Sequence, residues 1–381
     1  MRSYDAIVVG LGAMGSATLY HLALGGRRVL GLEQFKRGHE LGSSHGDSRV
    51  IREQYFEHPL YVPIVQRAYE LWRELEARTE SRLMTLNGGL MIGPPDGMVV
   101  GGTLRSATKF DLPHEVLTAA QVSERFPAFR LAEELIAVWD PRAGFLEPES
   151  CNAAHIDGAR RASAEVRFED PVIQWAPDGD GVRVQTSSGV YFADRLLFSA
   201  GAWSADLLRD LRLPLTIERQ VAFWLEPDES TVSYDKSCFP IYAYEYIPGS
   251  VCYGFPRLAR GVKASVMHGG ELSPTPGEVR RNVEAGEIEP LRAALSAILP
   301  SLARARVLDS GVCLFTNTPD HDFIVDFHPQ YRQVLVSSPC SGHGFKFASA
   351  LGEIQAELLT TGSTRFDISP FRIDRFPDGL R

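Results

Sequence analysis

Asp5-Ala6-Ile7-Val8-Val9 is an apolar, β-branched run ending at Gly10, the pattern of a strand buried on both faces of a parallel sheet. From Met14 to Leu24 small and apolar residues suit a helix packed on that sheet. Gly25-Gly26 end it, and Arg28-Val29-Leu30-Gly31-Leu32-Glu33 reads as a second strand, completing a βαβ unit. A second helix is expected from about Leu60 to Leu75, where Leu60, Ile64, Val65, Ala68, Leu71, Trp72 and Leu75 recur three and four residues apart. The texture then changes. From Gly88 to Gly144, and again from about Leu215 to Ile298, short β-rich runs such as Val221 to Leu225 and Val251 to Phe255 alternate with Gly/Pro turns. Between these stretches Val182 to Thr186 and Arg195 to Gly201 read as sheet. The chain closes on a strand, Val334-Leu335-Val336, and a helix from about Phe345 to Leu359. No repeat or long linker divides it, so interleaved domains are expected.

Length and composition narrow the class. A chain of 381 residues holds two to three domains or one large unit with an inserted piece. With 44% hydrophobic and 23% charged residues it excludes disorder, collagen and coiled coil. Asp+Glu 48 against Lys+Arg 39 gives a net charge of −9, which repels a phosphate backbone or an anionic bilayer and argues against nucleic acid or membrane as partners. Five cysteines, Cys151, Cys238, Cys252, Cys313 and Cys340, are an odd number without CxxC spacing. They form neither a disulfide framework nor a zinc site, and no metal is expected. The uncharged run from Ala6 to Gly26 has a membrane span's length, but Gly10, Gly12 and Gly15 break its first half. The sequence reads as a soluble, cytoplasmic protein.

Gly10-Leu11-Gly12-Ala13-Met14-Gly15 fits G-x-G-x-x-G directly after a strand and before a helix, and Glu33 closes the next strand 18 residues past Gly15. The first glycine permits the turn, the second lets a pyrophosphate approach the backbone, and the third lets helix pack on strand. Helix N-terminal amides hold phosphates, and Glu33 can accept bonds from an adenosine ribose. FAD and NAD both use this loop. The absence of a second copy points to FAD with oxygen or an electron carrier; an NAD-only enzyme would also carry one.

Four further stretches are Gly42-Ser43-Ser44-His45-Gly46-Asp47-Ser48-Arg49-Val50-Ile51-Arg52, Ala200-Gly201-Ala202-Trp203, Cys313-Leu314-Phe315-Thr316-Asn317-Thr318-Pro319-Asp320 and Ser341-Gly342-His343-Gly344-Phe345-Lys346-Phe347. Together, and over essentially the whole chain, they resemble monomeric sarcosine oxidase and N-methyltryptophan oxidase. The resemblance implies an α/β (α+β) architecture: a Rossmann-like FAD-binding domain of residues 1–85, 146–214 and 310–381, interleaved with an antiparallel-sheet substrate domain of residues 86–145 and 215–309. It implies FAD linked covalently through Cys313 and oxidation of a secondary amino acid, N-methyl or cyclic, with O2 as acceptor. The products would be an imine that hydrolyses and H2O2. Besides the Gly10 loop, it implies cofactor contacts at Ser44, His45, Arg49, Val166, Ala200, Gly201, Trp203, Gly342, Gly344, Phe345 and Lys346. Arg52 and Lys346 match the pair that holds the substrate carboxylate, for which a guanidinium fork and a second cation are chemically suited. Arg49 matches a cation near the flavin, and Lys263 aligns with the lysine that activates oxygen by stabilising developing superoxide. A monomer is expected.

Three positions depart from that pattern. In sarcosine oxidase a histidine follows the lysine by four residues, whereas His268 follows Lys263 by five, and one extra residue in a strand reverses the side-chain face unless a bulge restores it. Phe315 stands where the sarcosine enzymes place a tyrosine. A methionine over the substrate is replaced by Ala243 or Tyr244, depending on where a one-residue insertion near Ile247 falls. Tyr253 matches a pocket tyrosine. A less polar, larger pocket favours a substrate bulkier than sarcosine. The rivals are a flavin dehydrogenase of the same fold using another acceptor, a non-catalytic nucleotide-binding module and a nicotinamide dehydrogenase. Cys313, Arg52 and Lys346 together speak against mere binding.

Overall fold

The computed structural model describes residues 3–228, 230 and 232–376. The apolar run at the start forms the strand Ser3–Val9, and its alternation sorts its side chains to two cores. Ala6 and Val8 face a layer of helices, while Ile7 and Val9 pack with Leu30, Leu32, Leu196 and Phe198 on the other side. Ser3–Val9 pairs in parallel with Val29–Leu32 and with Val190–Phe198. Glu165–Arg167 extends one side in parallel, and Val334–Ser338 joins Val190–Phe198 in parallel on the other. Two antiparallel strands, Val172–Asp178 and Gly181–Thr186, and the short Ile324–Phe327 complete eight strands. The helices Ala13–Leu24, Val62–Thr79, Pro148–Arg161 and Ala348–Thr361 pack together on one face.

A second sheet of nine strands is mostly antiparallel. Its spine is the long pairing of Thr216–Glu226 with Arg306–Asn317, followed by Gly261–Met267, Ser250–Leu258 and Ile241–Ile247. One face carries Phe223, Leu225, Val262 and Tyr244, covered by Leu291, Leu295 and Leu302. The other face carries Ala243, Val251 and Phe255 toward the first sheet. Among the described residues no helix is long and apolar enough to cross a membrane.

Two segments read as β-rich also hold helices: Met98–Lys109 and Ala119–Arg125 in the first, and Glu289–Ser296 in the second. The first of these helices contains the Gly101-Gly102 pair. In the fold, a Cβ at Gly102 would lie 2.1 Å from Phe56 O, so the glycine lets the helix pack against the Phe56 backbone. The helix expected from Leu60 begins as a 3₁₀ turn, Pro59–Tyr61, and continues as Val62–Thr79. The Ile241–Ile247 hairpin has its register break between Glu245 and Ile247, at the insertion expected from sequence. Ala243 therefore faces the first sheet while Tyr244 turns into the opposite core.

Candidate functional site

The C-terminal ends of the parallel strands open into a cavity of about 460 Å³ that reaches the inner face of the second sheet. Val9, Leu32, Ser199 and Ser337 mark the strand ends, the place where parallel α/β sheets receive ligands. At the first end, Gly10 has φ +87°, and a Cβ there would stand 2.5 Å from Ser199 O. A Cβ on Gly15 would come 1.8 Å from Gly10 O, so only glycine allows the helix to start this close to the strand. Gly12, Ala13 and Met14 line the cavity, and Ala13 N donates to Ser44 Oγ at 3.1 Å. Glu33 is buried and accepts from Leu11 N and Phe35 N, which fixes its carboxylate at the cavity edge. Ala200, Gly201 and Trp203 also line the cavity. Of the residues expected to contact a cofactor, Val166 does not line the cavity; it packs on the helical core, and Phe168 reaches the cavity instead.

The Gly42 to Arg49 loop crosses the middle of the cavity and is held by many bonds. Ser43 Oγ donates to Leu314 O, tying the loop to the strand that carries Cys313. Arg49 donates to Ser43 O and Ser48 O, each at 2.8 Å, and Glu149 accepts from Gly46 N and Asp47 N. Lys263 lies behind this loop rather than in the cavity wall, its Nζ donating to Gly46 O at 2.6 Å and Ser48 O at 2.9 Å. Burial, and then the Arg49 charge, push the Lys263 ammonium pKa well down. His45 lines the cavity with Nε2 3.2 Å from Gly42 O; burial and Arg49 lower its pKa to about 3, so it is neutral.

At the far end stand Arg52 and Lys346. Arg52 is buried and makes an ion pair of 2.5 Å with Glu57, while its Nη1 donates to Gln54 O. Burial opposes ionisation of Glu57, yet the Arg52 charge leaves its carboxyl below the ordinary value. Lys346 Nζ donates to His343 O at 2.7 Å, and burial followed by the charge of Arg52 lowers its pKa to about 7. Gly342, Gly344 and Phe345 line the same end, where the chain turns from Val334–Ser338 into the 3₁₀ turn Phe345–Phe347.

The remaining wall is apolar: Val50, Phe56, Ala243, Val251, Phe255 and Phe315 line it. Tyr253 is opposite Ala243 in register, and burial raises its hydroxyl pKa to about 12. Cys313 and Cys340 both line the cavity and both are partly exposed; desolvation pushes the Cys340 thiol up to about 11.

His268 is not brought into the wall. The strand Gly261–Met267 ends one residue before it, and His268 adopts φ +63° in the turn that follows. Its Nδ1 lies 3.1 Å from Glu218 Oε2, and its ring rests edge-on against Phe315 from outside. Met267, four residues after Lys263, lines the cavity instead. Sequence reasoning missed Met267, Glu57, Glu149 and Tyr55. Met267 could have been found by strand alternation from Lys263; Glu57 lies five residues past Arg52 in an irregular stretch where no periodicity signals it.

Comparisons with known proteins agree with this geometry. Residues 5–358 match the family described as FAD dependent oxidoreductase. Monomeric sarcosine oxidase of Streptomyces avermitilis is 43% identical over 373 residues, 97% of each chain. N-methyl-L-tryptophan oxidase of Citrobacter koseri is 35% identical over 377 residues, 98% of this chain and 99% of its own. Among solved structures, the open form of NikD, an unusual amino acid oxidase essential for nikkomycin biosynthesis, has a TM-score of 0.84 at 27% identity, covering 98% of each chain. L-proline dehydrogenase from P. horikoshii shares the fold, with a TM-score of 0.85 at 21% identity over the full length of both chains. The glycine cradle, the fixed carboxylate of Glu33 and the cavity running from them to the second sheet fit FAD, and the chain belongs to the FAD dependent oxidoreductase family.

Proposed function

We propose that this protein oxidises secondary α-amino acids, N-methyl or cyclic and bulkier than sarcosine, to imines that water hydrolyses, with O2 reduced to H2O2. The observation that carries the reading is the convergence of Arg52 and Lys346 at one end of the cavity, beside an apolar wall of Val50, Phe56, Ala243, Val251, Phe255 and Phe315. In this reading the strands at the Gly10 end form the FAD-binding domain and the nine-stranded sheet the substrate domain. FAD, when bound, supplies the two-electron acceptor.

The chain's own groups do the rest. The substrate carboxylate takes the place of Glu57 on the Arg52 fork, and Lys346 fixes its second oxygen, which points the amine-bearing carbon into the cavity. His45 and His343 are neutral, with pKa values lowered to about 3 and about 4 chiefly by burial, so neither repels an incoming amine. Tyr253 keeps its proton and offers a hydroxyl, not a base. The amine therefore reacts as the free base. Arg49 and Lys263 surround the loop next to Cys313 with positive charge, where negative charge developing on oxygen is stabilised.

The same reading places the cofactor linkage on Cys313. A thiolate is the nucleophile, and Cys340, its pKa pushed up to about 11 by desolvation, holds its proton more firmly than an ordinary thiol. Acid-precipitated wild-type protein is expected to stay yellow. Cys313→Ser should release its colour to the supernatant while Cys340→Ser retains it. Colour lost from wild type would end the covalent assignment.

Met267 sets the size preference from the wall where the resemblance places a histidine. Met267→His is expected to shift the ratio of kcat/KM for sarcosine over a bulky N-methyl amino acid by about tenfold toward sarcosine. An unchanged ratio would remove Met267 from the pocket.

A further inference from the structure

We propose that Tyr55 is the positioning residue of the carboxylate clamp: its ring is a shared platform for the Arg52 and Lys346 cations, and His343 locks that ring to the lysine. The inference rests on the reading of Arg52 and Lys346 given above and extends it to a residue that touches neither substrate nor cofactor.

Tyr55 is fully buried three residues past Arg52. The Arg52 Cζ lies 4.3 Å from its ring centroid and the Lys346 Nζ 5.2 Å. Two like charges thus meet one ring. The Tyr55 hydroxyl is 2.5 Å from His343 Nδ1, and His343 Nε2 is 2.9 Å from His321 O. The carbonyl can only accept, so Nε2 carries the imidazole proton and Nδ1 accepts from the tyrosine. The same His343 accepts the Lys346 ammonium through its carbonyl. Ring, hydroxyl, imidazole and ammonium form a closed circuit, braced by Tyr61 and Phe347 at 4.9 and 5.2 Å from the Tyr55 ring.

The chemistry of the clamp explains why a ring suits this place. Burying two cations side by side is costly without compensation. A carboxylate or carbonyl would offset the charge by consuming N–H donors, as Glu57 does on Arg52, and those donors are the ones the substrate needs. An aromatic face attracts both cations through its quadrupole and takes no N–H donor beyond those already given to Gln54 O, Glu57 and His343 O. The platform keeps the cations in place while Arg52 exchanges Glu57 for the substrate.

The test uses the FAD-loaded enzyme and a matched pair of substrates: the N-methyl amino acid on which wild type is most efficient, and its decarboxylated amine. Tyr55→Phe keeps the π face and is expected to retain most of the preference for the acid. Tyr55→Leu is expected to raise KM for the acid roughly five- to thirtyfold, with kcat little changed and the amine unaffected. Because Tyr55→Leu could fail to fold, 3,4,5-trifluorophenylalanine placed at position 55 supplies a ring of nearly the same shape with a depleted π face. It should raise KM for the acid above that of Tyr55→Phe and leave the amine unchanged. Equal KM for the two rings on the acid, or parallel increases for acid and amine, would overturn the platform. A wild type that oxidises acid and amine equally well would remove the clamp itself, and the platform with it, and so is distinguishable from failure of the platform alone.

Discussion

Arg52→Met is expected to raise KM for the amino acid roughly ten- to hundredfold, the worth of a charge-assisted bidentate bond, while leaving oxidation of the decarboxylated amine nearly unchanged. The side chain is buried and its fork is already engaged by Glu57, so the loss is of a preformed site rather than of a solvated surface group. Arg52→Lys should recover only part of the affinity, since an ammonium cannot present two parallel donors. Glu57→Gln is expected to do the opposite and lower KM, because a neutral amide competes less with the substrate for the guanidinium. Lys346 adds a pH dependence to the same interaction. Its folded-state pKa is lowered to about 7, so its charge, and its share of carboxylate binding, is present below that pH and is lost as the pH rises through it. KM for the acid should carry a limb rising above about pH 7 that is missing in Lys346→Met and for the amine. A pH-independent KM in wild type would take Lys346 out of the clamp.

Lys263→Met is expected to lower kcat/KM for O2 by roughly a hundredfold or more, with a much smaller effect on kcat/KM for the amino acid. The variant should fold. Gly46 O still accepts from Ser48 N and Ser48 O from Arg49 Nη1, so neither carbonyl is left without a donor when the ammonium is removed. The Lys263 side chain is buried, and a methionine of similar length replaces it without a large change in packing. Measured rates at varied O2 and varied substrate separate the two effects. Equal losses in both parameters would mean that Lys263 only supports the Gly42 to Arg49 loop.

Much of this was legible before any coordinates because the signals are local. The Ser3–Val9 strand, the glycine turn and the following helix are contiguous in sequence, and the stretch of that strand buried on both faces, Ala6 to Val9, is apolar throughout. The alternation that put Lys263 and Met267 on one face was also there to be read, and it predicts that His268 leaves the wall unless a bulge intervenes. No extra residue enters that strand between Lys263 and Met267; the register shifts of this sheet fall in other strands, at Trp224/Leu225, Glu245/Ile247 and Gly254/Arg257, and Ala243 lines the cavity. What stayed hidden depends on long-range packing. The helix Met98–Lys109 has Gly102 because the Phe56 backbone packs on it, and Glu57 meets Arg52 through an irregular turn. The Tyr55 hydroxyl finds His343 across 288 positions of sequence, a separation no periodicity encodes.

The measurement that bears most directly on the central claim is a comparison of peroxide release and O2 uptake by the purified protein. It covers sarcosine, N-methyl amino acids with large side chains, proline-like amino acids and the decarboxylated amine of each. The account predicts stoichiometric peroxide, the highest kcat/KM on a bulky secondary amino acid, and a loss of at least about tenfold when its carboxylate is removed. Sarcosine outperforming every bulkier acid would contradict the reading of the apolar wall. Amines matching their parent acids would contradict the clamp of Arg52 and Lys346, and turnover with a dye but without O2 uptake would contradict the oxidase.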